Sequence, residues 1–180
     1  MRCAFCPKFR GSWTLDGLDL RLSREPTVDE IVAAAGEPAR YEEIVFGGLG
    51  EPTLRLYDLM AAALRLHGRG ARIRLQTDGL ASLVYGRDVT PDLEGGIDAL
   101  SVSLNAQDEQ TYNRYCRPML PGAYRAMLDF VARAREFVPD IVLTATPGLD
   151  DVDMAACERL AGELGVKFGT RGHDEMNCRQ

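Results

Sequence analysis

Short apolar stretches alternate with helical ones along most of this chain, and that alternation is what limits its fold most. Glu43-Ile44-Val45-Phe46, Arg72-Ile73-Arg74-Leu75-Gln76, residues 98–104, 141–146 and 166–170 each read as a strand. Helical patterns separate them. Thr27-Val28-Asp29-Glu30 is a capping box behind Pro26, opening a helix that ends near Gly36. Leu56, Leu59, Met60, Ala63 and Leu64 mark a helix over 54–66, with Gly68 as its stop. A weaker helical patch lies between Ala81 and Glu94. Asp108 to Tyr115 starts another helix, which breaks at Cys116-Arg117-Pro118. Residues 123–138 are strongly amphipathic, and 151–164 form the last helix before Gly165. Residues 8–25 show no period and read as a loop. Strands that alternate with helices, with short polar loops after each strand, predict an α/β fold built on a parallel sheet or barrel. No linker or low-complexity tract divides the 180 residues, so a single domain over 1–180 is expected.

Composition narrows the function. The apolar fraction is 46%, and no apolar run reaches membrane-spanning length. A net charge of −6 gives no general pull toward nucleic acid or an anionic membrane. Five cysteines at irregular spacing, with no secretory signal, argue against a disulfide framework and for a reducing cytoplasm. Cys157 falls in an apolar helical pattern and reads as a small core residue.

The polar and glycine-rich residues concentrate after the strands, where sites on such folds lie. Met1-Arg2-Cys3-Ala4-Phe5-Cys6-Pro7 opens the chain. Its Cys-x-x-Cys pair can be a metal-ligand pair, a redox pair or half of a zinc site. Gly47-Gly48-Leu49-Gly50-Glu51-Pro52 follows the first visible strand; it fits a backbone that must come close to a ligand, the alternative being a tight turn with Glu51 as a helix N-terminal charge. Thr77-Asp78-Gly79 ends the next strand, either as a ligand contact or as an Asp-Gly turn. In Ser101-Val102-Ser103-Leu104-Asn105, the three polar residues share one face of a strand, the inward face if the sheet curves into a barrel. Thr144, Thr146 and Pro147 close the fifth strand. Arg171, His173, Asp174 and Glu175 gather after the last one, as substrate-side groups or a solvated tail, and His67 reads as a surface or capping residue.

Taken together, Cys3-Ala4-Phe5-Cys6, the Gly-Leu-Gly-Glu-Pro loop, Thr77-Asp78-Gly79 and the Ser103/Asn105 strand resemble radical S-adenosylmethionine (radical SAM) enzymes. Asp108, Tyr112 and Cys116-Arg117-Pro118 resemble a stretch of the branch linked to TatD-type nucleases. The resemblance implies a partial (βα)6 parallel barrel. It places the first strand and the first of three cluster cysteines ahead of Met1, so both are expected to be missing from this chain. It further implies a 4Fe–4S cluster on Cys3 and Cys6, and S-adenosyl-L-methionine held by Phe5, Gly48, Gly50, Glu51, Asp78, Ser103 and Asn105. Reductive cleavage would give a 5′-deoxyadenosyl radical that acts on an unidentified substrate, with an electron donor such as flavodoxin or ferredoxin. Two other readings compete. One is a cluster-less, non-catalytic form of the same fold acting as a binding protein. The other is an ordinary barrel enzyme holding phosphate in the glycine loop, which the lack of a basic residue in 47–53 disfavours.

Overall fold

The computed structural model describes residues 1–15 and 17–170. Five strands form one parallel sheet in chain order: β3 (Ile44–Phe46), β4 (Ile73–Thr77), β5 (Ala99–Ser103), β6 (Asp140–Ala145) and β7 (Lys167–Thr170). Ahead of them, β1 (Thr14–Leu15) and β2 (Leu18–Asp19) make a two-stranded antiparallel ribbon inside the stretch expected to be irregular. The helices are α1 (Val28–Ala35), α2 (Leu56–His67), α3 (Ala81–Tyr85), α4 (Glu109–Cys116), α5 (Ala123–Ala134) and α6 (Met154–Glu163). This is the α/β class expected, in the form of a partial barrel. The outer edge of β3 pairs with no strand among the described residues.

Local chemistry accounts for the helix boundaries. Thr27 and Glu30 form both halves of the capping box at α1. Asp108 caps α4 by accepting from the Thr111 amide at 2.8 Å, and Asp153 caps α6 by accepting from the Ala156 amide at 3.0 Å. The α6 helix therefore starts at Met154, three residues later than its pattern suggested. The α5 helix stops at Ala134, and the backbone amide of Val138 still bonds back to Ala134 at 2.8 Å. α4 runs one residue further than its break suggested: Cys116 is its last residue, and Arg117 takes a left-handed conformation at φ 44°.

Register determines which face of the sheet meets the helices. Leu75 pairs with Leu100 and Leu100 with Ile141; Val102 pairs with Leu143. Paired residues in a parallel sheet share a face, so these apolar side chains form one row. Together with Leu56, Leu66, Met127 and Phe130, they are buried in one core between sheet and helices. Each such side chain contributes about 1.5–3 kcal/mol on burial. The opposite face carries Arg74, Gln76, Ser101 and Ser103. At its lower end, Arg74 bonds Glu43 at 2.8 Å, while Asp140 accepts from Lys167 at 2.8 Å and from Arg72 at 2.9 Å. This charge network ties β4 and the residue preceding β3 to the start of β6 and to β7. The polar face leads upward from there to the carboxyl ends of the strands.

Candidate functional site

A cavity of about 620 Å³ opens at those carboxyl ends. Its walls come from the segments after β3, β4, β5 and β6 and from the N-terminal segment. Phe5, Leu49, Leu54 and Pro147 supply apolar surface; Glu51, Asp78, Ser103 and Asn105 supply polar groups. Of the residues expected in a site, Cys3, Cys6, Phe5, Gly48, Gly50, Glu51, Asp78, Ser103 and Asn105 all line this one space. So does Thr146. Arg171, His173, Asp174, Glu175 and Cys178 lie outside the described residues. His67 sits on the helical side, 3.3 Å from Asp98. A second depression of about 340 Å³ follows residues 113–122 and shares no lining residue with the cavity.

Glu51 is held from several sides. Its Oε1 accepts from the Thr53 amide (3.1 Å), the Thr53 hydroxyl (2.7 Å) and the Thr77 hydroxyl (2.8 Å), and its Oε2 accepts from the Asp78 amide (2.7 Å). The carboxylate staples the loop after β3 to the end of β4. The glycines before it have two separate causes. At Gly47 a Cβ would lie 2.5 Å from Gln76 Oε1, and at Gly48 the backbone has φ 129°. A Cβ at Gly50 would meet nothing.

Asp78 lies against Glu51. Burial, and next the charge of Glu51, lift its carboxyl from an ordinary 3.8 to about 7. Its Oδ1 accepts from the Leu80 amide at 3.0 Å. The turn reading of Asp-Gly holds: Gly79 has φ 73°, and a Cβ there would press on Val102 and Met127.

Asn105 is 1% exposed and takes φ 61°, a conformation Asn tolerates better than most residues. Its amide donates to the Cys116 sulfur at 3.5 Å. Its Oδ1 has no hydrogen-bond partner among the described residues. Cys116 is a neighbour that sequence reasoning missed. Asp108, Tyr112 and Cys116 recur every four residues, so Tyr112 and Cys116 share the buried stripe of α4. That spacing was a usable signal. The amides of Arg2 and Ala4 donate to the carbonyls of Cys116 and Tyr115 at 3.1 and 2.8 Å, which sets Cys3 beside the end of α4. Hydrogen bonding from Cys116 lowers the pKa of Cys3, and the same bond, with burial, raises that of Cys116.

This arrangement corrects the expectation of a resident 4Fe–4S cluster. Such clusters are held by several thiolates. No group of three or more His, Cys, Asp or Glu side chains suited to a metal ion forms among the described residues. Cys3 and Cys6 stand at the cavity, but the third thiol near them, Cys116, is buried, accepts from Asn105 and is held in its protonated form. The donor set does not fit the cluster. The iron–sulfur and metal-binding reading, the reductive cleavage of S-adenosyl-L-methionine and the enzymatic activity built on it are set aside.

A parallel sheet, helices packed on one face of it and a cavity at the strand ends define a partial α/β barrel whose cavity lies where sites on such folds usually do. The chain belongs to the radical SAM superfamily: the family model "Radical SAM superfamily" matches residues 1–164. Among solved structures it is similar to one described as TYW1 with a lysine-pyruvate adduct bound, at 19% identity and a TM-score of 0.56. The match covers 83% of this chain and 52% of that one, so this chain spans about half the length of that structure. At this identity the likeness concerns the fold.

Proposed function

We propose that this chain is a cluster-less member of its superfamily that binds a small organic amine in the cavity at the strand ends. One observation carries the reading: the cavity combines an apolar wall of Phe5, Leu49 and Pro147 with the acidic pair Glu51 and Asp78. Lys8, a basic side chain at its margin, is turned to the rings of Phe9 and Trp13, 5.1 and 5.7 Å from their centres. An amine answers the negative end of the cavity, and a flat apolar body answers the wall. Asn105, whose Oδ1 lacks a partner, adds an acceptor at the same place. Gly48, Gly50 and Ser103 shape the remaining lining, and Cys3 and Cys6 belong to the N-terminal wall. We place the chain in the branch linked to TatD-type nucleases on Asp108, Tyr112 and Cys116-Arg117-Pro118, and in the cytoplasm on its cysteine usage. No helix among the described residues is long and apolar enough to cross a membrane. An electron donor has no task in this reading.

Calorimetric titration of the full chain with phenethylamine and with phenylpropionate tests it. The amine binds saturably and more tightly than the carboxylate, and Asp78→Asn at pH 8 weakens it roughly tenfold, the loss expected for one charge contact. Equal or tighter binding of the carboxylate, or no binding of either, overturns the proposal.

A further inference from the structure

The cavity opens toward an exposed apolar strip. Glu51 starts a turn over Pro52–Arg55 that runs into α2, and the Leu54 amide closes it by donating to the Glu51 carbonyl at 3.2 Å. Leu54 lines the cavity and is still 61% exposed, so it stands at the rim. One turn further on, Tyr57 is 63% exposed. Tyr85, the last residue of α3, ties the two together. Its hydroxyl donates to the Leu54 carbonyl and accepts from the Leu56 amide, both at 3.3 Å. Its ring meets that of Tyr57 in a T-shaped contact, with centres 6.0 Å apart and planes at 87°. Arg87 donates to the Tyr57 hydroxyl at 3.0 Å and is itself paired with Asp92, so no free charge interrupts the strip there. An exposed ring held by its face or edge and by its hydroxyl has little freedom left to lose when something lies on it.

The strip is too small for a protein partner. Leu54, Tyr57 and Tyr85 are three side chains, where a stable protein interface takes about 20–30 residues from each side. The strip begins in the cavity wall, and the stretch from Glu51 to Tyr57 rises by about 10 Å at helical spacing. A neutral apolar path that leads outward from an acidic pair suits one occupant, an apolar chain joined to a cation.

We propose that the cavity takes an amine carried on a long apolar chain, with its charged end at Glu51 and Asp78 and its tail laid over Leu54, Tyr57 and Tyr85. This rests on the amine-binding reading and adds a class of ligand to it: a long-chain alkylamine or arylalkylamine, not a compact amine. The tail contributes affinity by leaving water, at about fourfold for each methylene fully buried.

Calorimetric titration of the full chain with phenethylamine and with 4-hexylphenethylamine, at concentrations where both are monomeric, tests the proposal. The hexyl compound binds at least about tenfold more tightly, since half-burial of its added chain already exceeds that gain. Tyr57→Ser cuts the gain to below about threefold and leaves phenethylamine binding within about twofold of the native value, whereas Tyr57→Phe, which keeps the ring, keeps the gain. Phenethylamine binding with no gain from the hexyl chain, or a gain that survives Tyr57→Ser intact, overturns the proposal and leaves the amine reading standing. Failure of both amines to bind overturns the amine reading and this proposal with it.

Discussion

Replacing Asp78 by Asn should stabilise this protein in alkaline buffer and hardly change it in acid. In the fold, the Asp78 carboxyl is raised to about 7 by burial and by Glu51, against 3.8 ordinarily. An acid raised in this way holds its proton more tightly when folded. Its burial is tolerated below the ordinary carboxylate range, and stability is lost as pH climbs from about 4 to about 7, then levels off. At 1.36 kcal/mol per tenfold change in proton affinity, the penalty at pH 8 is about 4 kcal/mol, an upper bound because the residue borders a cavity. Asn keeps the acceptor for the Leu80 amide and cannot ionise. Urea unfolding of both proteins between pH 4 and pH 8 gives the difference directly. The gain should be under about 1 kcal/mol at pH 4 and about 2–4 kcal/mol at pH 8, a rise of roughly 10 °C in melting temperature for a chain of this size. A gain that is the same at both ends, or a loss at pH 8, refutes the argument that Asp78 is a desolvated acid.

Other perturbations follow from the same contacts. Glu51→Gln should cost about 1–3 kcal/mol in urea unfolding, because an amide nitrogen turned toward the Asp78 amide leaves a donor without its acceptor; it should also flatten the pH dependence just described. Gly79→Ala meets Val102 and Met127 at 2.9 and 3.0 Å in a backbone with φ 73°, and should cost about 2 kcal/mol. Lys167, followed by Arg74 and Arg72, holds Asp140 below the usual carboxylate range, so its contribution is present at neutral pH and lost in acid. Asp140→Asn should therefore cost about 1 kcal/mol at low salt, and less at high salt and below the carboxylate range.

The alternation of strands and helices was legible because it rests on local pattern, and the five parallel strands lie where Val45, Leu75, Val102, Leu143 and Phe168 placed them. The carboxyl-end location of the site was legible for the same reason. The roles inside the site were less so. Glu51 carries the same glycine-loop pattern whether its carboxylate faces a ligand or the hydroxyls of Thr53 and Thr77, and only the fold brings Thr77 into reach. At Gly47 a Cβ would have to displace Gln76, a neighbour on another strand. The backbone bonds that set Cys3 beside the end of α4 join distant parts of the chain, which no local spacing encodes. The pair Cys3 and Cys6, read with that loop, suggested a cluster; the burial and hydrogen bonding of Cys116 show why the surroundings do not complete one.

Anaerobic reconstitution of the full chain with ferrous iron and sulfide, followed by desalting and analysis for both elements, tests the central claim most directly. The account predicts a colourless protein with only trace iron and unchanged binding of phenethylamine. A brown protein that retains near-stoichiometric iron and sulfide, and loses them when Cys3 or Cys6 is replaced by Ser, would contradict it.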